Sequence, residues 1–341
     1  VDSMSFYVLD NLVNETKDII AEPTNETILD NPVEEILGGQ EEVIETMDET
    51  NPPSHTAPIL NSTGSNLTTN NLTVFNQSTD DLDGDPVKNI YNWYRNGVSL
   101  AVLNMPMEGE VSNMTNVRDY SGNGNNGTNI SAIWNRFGGY DGYGAFEFDG
   151  IDDWINVGYD DTLNITEDLS ISYWIKNSTN NNAATTDWVI TRGDSWNNFN
   201  WGIVKSTGVL GKFQFRITPY CNGTGASAGN FYIQDDNWHH VAVAYESSDG
   251  TYNVWVDGVV NLTADTSLET LCSTTNDLYI GGGITSRYFN GSLDDVMIFN
   301  RTLTPQQVAA LYLNQSNRIV SKETTVGETW NATVTPNDGF I

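Results

Sequence analysis

Between residues 236 and 258 the chain reads DNWHHVAVAYESSDGTYNVWVDG, with apolar positions at Val241, Val243 and Tyr245 and again at Tyr252, Val254 and Val256. Apolar residues at every second position, on both sides of a Ser-Ser-Asp-Gly turn, predict a β-hairpin with one apolar face. Such a hairpin is marginal alone in water, so it implies a sheet to join and a second sheet to pack against. Further β-prone stretches lie at residues 145–149, 151–157, 169–175, 213–217, 278–280 and 289–299. The only convincing helical pattern is at residues 303–312 (LTPQQVAALY). There Thr304 is placed to cap, Pro305 opens the first turn, and Val308 shares a face with Leu311 or Tyr312.

The flanks carry a second β texture. It runs through residues 72–75, 90–94 and 99–103, stops after Asn104-Met-Pro106, and resumes at 317–320 and 328–335. Trp93 and Trp330 supply the two aromatic strands that a small sandwich needs. Residues 1–56 differ from both textures. They hold 14 of the 45 acidic residues against one base, Lys17, with prolines at 23, 32, 52 and 53, a composition that cannot bury enough apolar surface to offset chain entropy. The expected organisation is an acidic tail at 1–56, a discontinuous β domain at 57–107 plus 317–341, and a larger β domain at 108–316. The larger one is inserted into the smaller, which is tolerated because domain termini commonly lie close together.

Composition narrows the setting. A net charge of −31 argues against nucleic acid or an anionic membrane as partner, and no apolar run approaches the ~20 residues of a membrane helix. With no basic-then-apolar leader, the chain is expected to begin after processing or to be excised from something longer. There are 42 Asn and 17 Asn-x-Ser/Thr sequons, where chance gives about 7. The glycosylation candidates include Asn61, Asn66, Asn71, Asn76, Asn113, Asn126, Asn129, Asn164, Asn177, Asn222, Asn261, Asn290, Asn300, Asn314 and Asn331. This excess points to an extracellular, cell-surface glycoprotein. In that setting Cys221 and Cys272 are most simply one disulfide, with two buried free thiols as the alternative.

Family resemblances sharpen these expectations. The run 81–86 (DLDGDP) with Trp93, and residues 327–330 (GETW) with 335–339 (TPNDG), resemble the two halves of an Ig-like or cadherin-like repeat of microbial, in particular archaeal, surface proteins. The centre resembles the laminin-G-like jelly roll of the concanavalin A-like lectin and glucanase superfamily. The motifs that carry this are 119–128 (DYSGNGNNGT), 145–150 (AFEFDG) with 151–157 (IDDWINV), 238–242 (WHHVA) and 289–299 (FNGSLDDVMIF), followed by the 303–312 helix. The fold class expected is all-β, an antiparallel concanavalin A-like sandwich plus a small Ig-like sandwich with an extended N-terminal tail. The resemblance also implies candidate chemistry. Glucanases share the fold, but their paired carboxylates need a Glu-x-Asp-x-(x)-Glu run, and here Glu147-Phe-Asp149 is followed by Gly150 with no closing Glu. No catalytic residue is assigned, and a glycosidase is the alternative reading.

Calcium is the plausible ion. The resemblance implies a site at Asp149 with Asp294 or Asp295, and turns and strand edges explain the same residues equally well. Asp81, Asp83 and Asp85 open like a calcium loop, but Asn92 stands where its last ligand belongs, so a turn is the better reading. His239 and His240 lack further ligands for zinc and alternate in direction along a strand. Glycan contact in such jelly rolls uses loop aromatics and amides, and Trp196, Asn197, Asn198 and Phe199 offer that composition. The neighbouring Arg192-Gly-Asp194 tripeptide is a chance occurrence.

One element remains over. Residues 4–9 (MSFYVL) are β-prone and uncharged, ahead of an acidic tether. If 329–335 is the next-to-last strand of the small sandwich, its final strand is missing; a donor strand within residues 4–13 fits that place in the next molecule, and truncation of a longer multi-repeat protein explains the same gap equally well. The whole reads as a non-enzymatic surface protein that binds glycans or other surface proteins, with self-association through its N-terminal strand and filament building in view.

Overall fold

The computed structural model describes residues 2–8, 13–16, 51–62, 69–109, 115–178, 186–195, 198–206, 208–218, 227–266, 270–283 and 286–340. The chain opens with β1 (Asp2–Val8), β2 (Val13–Thr16), β3 (Ser54–Ser62), β4 (Leu72–Asp80), β5 (Lys88–Arg95) and β6 (Val98–Ser99). Next come β7 (Leu103–Met105), β8 (Asn116–Val117), β9 (Gly127–Ile130), β10 (Ile133–Asn135), β11 (Ala145–Asp149) and β12 (Trp154–Gly158). The middle supplies β13 (Leu169–Asn177), β14 (Asp187–Ser195), β15 (Asn198–Lys205), β16 (Lys212–Ile217) and β17 (Ser227–Tyr232). Then follow β18 (Trp238–Glu246), β19 (Thr251–Val256), β20 (Val259–Asp265), β21 (Leu278–Ile280), β22 (Asn290–Phe299), α1 (Pro305–Tyr312), β23 (Arg318–Ile319) and β24 (Thr329–Asn337).

Two large sheets face each other across the main core. One runs β10-β11-β22-β13-β18-β19-β20, with β7 also paired to β22, and the other runs β17-β16-β15-β14-β21-β12-β9-β8. The 236–258 hairpin forms as the alternation predicts. Val241 pairs with Val256 and Tyr245 with Tyr252, and Val241, Val243, Tyr245, Tyr252 and Val254 enter the core. On β13 the same period sends Leu169, Ile171, Tyr173 and Ile175 inward, each full burial being worth about 1.5–3 kcal/mol, and leaves Ser170, Ser172 and Trp174 for the opposite face. Part of that face is covered by α1, whose Val308 packs with Ala242, Ala244, Trp255 and Phe299. The helix begins where the cap predicts, with the Thr304 hydroxyl accepting from Gln307 N.

The 119–128 motif has a mechanical reason. Asp119 is buried, and its carboxylate accepts from the backbone amides of Asn104, Ser121 and Asn125 and from the Ser121 hydroxyl. A single side chain thus ties the turn to β7.

A second, smaller pair of sheets has a core of its own. The sheets are β2-β1-β24-β5-β6 and β23-β4-β3, and the core joins Leu60, Leu72, Val74, Trp93 and Leu100 to Ile319, Trp330, Ala332 and Val334. Asp81 closes a turn, its Oδ1 accepting from the amides of Asp83 and Asp85. The stretch after β24 differs from the expected turn into a further strand. Asp338 O accepts from Arg136 at 2.9 Å, and the Arg136 guanidinium lies 3.8 Å above the Phe340 ring, so residues 338–340 are held against the larger sandwich. The place beside β24 is taken by β1 of the same chain, paired from Asp2↔Val334 to Tyr7↔Thr329.

Candidate functional site in the cleft between the sandwiches

A cavity of about 310 Å³ lies between the two sandwiches, at the small end of the roughly 300–1,000 Å³ of small-molecule pockets. Its floor is the outward face of the large sheet, with Ser172 and Trp174 on β13, His240 on β18, and Asp295 and Met297 on β22. Lys88, Asn89 and Tyr91 of β5 form the facing wall, and Tyr140, Asp141 and Tyr143 close one side.

A bulge sets the electrostatics. Ser172 pairs with Met297 but Trp174 with Asp294, so β22 carries one residue more than β13 over this span. The extra residue is Asp295, held in the left-handed region at φ 45° at the β-bulge. Asp294 and Asp295, which strict alternation sends to opposite faces, therefore both interact with the same loop. Asp294 is fully buried and accepts from Tyr140 N at 3.1 Å, while Asp295 accepts from the Tyr140 hydroxyl at 2.9 Å. Gly139 is required there, because a Cβ would stand 2.6 Å from Asp294 Oδ2.

Lys88 sits in the middle of these acids. Its Nζ lies 2.9 Å from Glu108, 3.1 Å from Asp141 and 3.0 Å from Asp295, with only 11% of its side chain exposed. Burial pulls the ammonium down, but Asp295, Asp294, Glu108 and Asp141 together hold it well above its ordinary value. Burial raises Asp294, Asp295 and Glu108, and Lys88 opposes the rise in each. The ammonium thus occupies the position a metal would need among three carboxylates.

The aromatic floor is packed upon itself. Tyr140 stacks on Trp174 with centroids 3.8 Å apart and planes at 7°, and Tyr312 stacks on it at 6.0 Å. His240 is buried, its Nε2 lies 2.9 Å from Ser172 Oγ, and burial depresses its pKa to about 4. It is therefore a neutral imidazole at physiological pH. His239, half-buried, bridges Asp257 at 2.7 Å and Asp235 at 2.9 Å. Burial lowers its pKa, and the two carboxylates more than reverse that.

The residues singled out from sequence are dispersed. Asp149 pairs with Asn290, four and five positions from Asp294 and Asp295. At ~3.3 Å per residue that is too far to share one ion, so the expected calcium triad is not brought together. Asp149 gathers instead with Asp152 and Asp153, their oxygens within 4.8 Å, and two of these carboxylates are engaged as turn acceptors for Ile151 N and Asp149 N. Trp196 and Asn197 lie outside the described residues. Asn198 exchanges hydrogen bonds with Asn276. Phe199 is 1% exposed and packs edge-on against Trp188, so its ring is core and is not offered to a ligand. The expected loop is a hairpin of β14 and β15, and Arg192 is buried, donating to the carbonyls of Leu163 and Thr274. Cys272 is disulfide-bonded, and Cys221 lies outside the described residues. Asn66, Asn113 and Asn222 also lie outside them. Asn177 is fully buried, with its amide donating to Ile233 O, so as a glycan acceptor it is corrected to a core residue. Lys88, Glu108, Tyr140, Asp141 and Trp174 carried no local motif, since distant segments assemble them.

Comparisons with known proteins fit this architecture. Residues 149–309 match the family model of the concanavalin A-like lectin/glucanases superfamily. Among solved structures, the binding domain of Paraclostridial Mosquitocidal Protein 1 is similar at a TM-score of 0.50 and 16% identity, covering 62% of this chain and 51% of that one. The botulinum neurotoxin serotype G binding domain is similar at 0.50 and 17% identity, over 63% and 51%. Domain 4 of an extracellular GH43 arabinanase from Geobacillus stearothermophilus, in complex with arabinotriose, gives 0.48 and 18%, over 62% and 98%. The likeness thus spans about half the length of the two toxin domains. No curated protein matches the chain. Among the described residues no helix is long and apolar enough to cross a membrane.

Proposed function

We propose that this chain is a non-catalytic surface glycoprotein that binds a saccharide unit in the cleft between its two sandwiches. The observation that carries the reading is the cavity itself, about 310 Å³ lined by amides, tyrosines and carboxylates over an aromatic floor. Such a lining suits a neutral polyol, because amide, phenol and carboxylate groups match its hydroxyls. The carboxylates argue against hydrolysis, since Asp141 and Asp295 are both engaged by the Lys88 ammonium. A retaining glycosidase needs two carboxyl groups about 5–5.5 Å apart and free to act as nucleophile and acid.

A glycan array with the native protein, followed by titration calorimetry on Asn89→Ala, tests this. Asn89 lines the cavity from a half-buried position on β5, and losing one hydrogen bond there weakens binding about tenfold. Absence of saccharide binding by the native protein refutes the reading. Release of reducing sugar would instead establish the glycosidase alternative.

A further inference from the structure

We infer that β1 is an exchangeable strand whose second docking place is the β24 edge of another copy of this chain. This goes beyond saccharide binding and does not rest on it. Strand β1 joins the small sandwich through main-chain pairing, six residue pairs from Asp2↔Val334 to Tyr7↔Thr329. The register sets Met4 opposite Ala332 and Phe6 opposite Trp330, and both partners are core residues of the small sandwich. Without β1, β24 becomes an edge strand over a small core, with a row of unpaired N–H and C=O groups that templates another strand.

The connection decides what can fill that edge. Within the same sheet β5 and β6 are joined by the Asn96-Gly97 turn. Strand β1, with its hairpin partner β2, reaches the sandwich only through residues 17–53, which hold eleven Asp and Glu against one Lys. Thirty-seven residues span at most about 120 Å. A strand so tethered meets the same backbone groups in its own β24 and in a neighbour's. Closure within one chain is intramolecular and independent of protein concentration, so dilute protein stays closed. Crowded or freshly refolding protein exchanges. Donation from each copy to the next is a heterologous contact that does not close on itself, and it propagates as a filament.

Single-cysteine reporters read the exchange directly. Ser5 pairs with Asn331, and directly opposed strand positions bring Cβ atoms ~4.5–5.5 Å apart, close enough for a disulfide after small adjustment. One full-length chain carries Ser5→Cys and a second carries Asn331→Cys, with Cys221 and Cys272 left oxidised. They are refolded together from urea over a hundredfold range of concentration. A covalent heterodimer whose yield rises with concentration is expected, and a ladder from the Ser5→Cys/Asn331→Cys double variant. Pairing Ser5→Cys with Thr335→Cys, which is out of register, should give neither. Cross-links confined within single chains at every concentration overturn the inference. So does failure of the double variant to cross-link at all, since the β1–β24 register would then be wrong.

Discussion

Trp330 meets Trp93 edge-on, with ring centroids 6.5 Å apart and planes at 73°, although one residue precedes the larger sandwich in the chain and the other follows it. Edge-to-face aromatic pairs add about 0.5–1.5 kcal/mol beyond their burial, and Trp93 Nε1 also donates to Ser316 O. The two ends of the chain are thus bound into one small core by this pair. Truncating Trp330 to Ala leaves a cavity and should cost about 3–5 kcal/mol. Because the small core is separate from the main one, the loss should appear in urea melts as an early transition ahead of an unshifted main transition. A single transition shifted as a whole would mean that the sandwiches unfold as one unit.

Lys88, on β5 of the small sandwich, is a point where the two sandwiches depend on each other, through Glu108, Asp141 and Asp295. Lys88→Met keeps the stem and removes the charge, leaving Glu108, Asp141 and Asp295 facing one another without compensation. Breaking a buried ion cluster from one side costs about 3–5 kcal/mol. The pH dependence has a definite sign. Carboxylates whose folded pKa values are raised contribute stability below the unfolded value of about 4 and lose it as pH rises through the folded value. In the variant that rise is larger, so its deficit should be greatest near neutral pH and shrink toward pH 4. A deficit independent of pH in chemical melts would mean that packing of the stem, not charge, is what Lys88 contributes.

These features divide by how local their cause is. The 236–258 hairpin and the Thr304 cap were legible because each is decided by residues close together in the chain. The bulge at Asp295 was not legible, since a bulge is an added residue relative to a partner strand and no single strand records its own partner's length. Phe199 was misread for a related reason. A run of aromatics and amides looks like a loop until Trp188 and Val204, on the paired strands, enclose it. Nothing near Lys88 in sequence marks it, because its three carboxylates come from three other segments.

His240 gives a pH response of opposite sign to the carboxylates. Burial holds its pKa at about 4 against about 6.5 when unfolded, so its contribution is present above pH 6.5 and is lost as pH falls toward 4. Between pH 7 and pH 4.5 this amounts to about 2.5 kcal/mol. His239, held up by Asp235 and Asp257, works the other way: its contribution is present below pH 6.5 and fades as pH rises through its folded value. It is unchanged in a His240→Gln variant. Gln can still meet the Ser172 hydroxyl, so the variant should lose less stability on acidification by about that amount. Parallel stability–pH curves for the two proteins would refute a buried neutral imidazole.

Glycan attachment offers a check on the fold that needs no mutation. Asn61 and Asn76 in the small sandwich, and Asn126, Asn261, Asn300 and Asn314 in and beside the large one, are exposed. An N-linked sugar is bulky and hydrophilic, so it is accommodated at a surface amide and excluded from a packed one. At Asn164 and Asn129 the amide nitrogens already donate to Ser273 Oγ and Ala132 O, so a sugar there displaces a hydrogen bond. At Asn177 it would also have to enter the core. Glycopeptide mapping of the native protein should therefore find any occupancy concentrated at these exposed sites, low at Asn164 and Asn129, and none at Asn177. A glycosylated Asn177 in folded material would mean that the end of β13 is not packed against Ile233, and the register of that strand with β18 and β22 would have to be withdrawn.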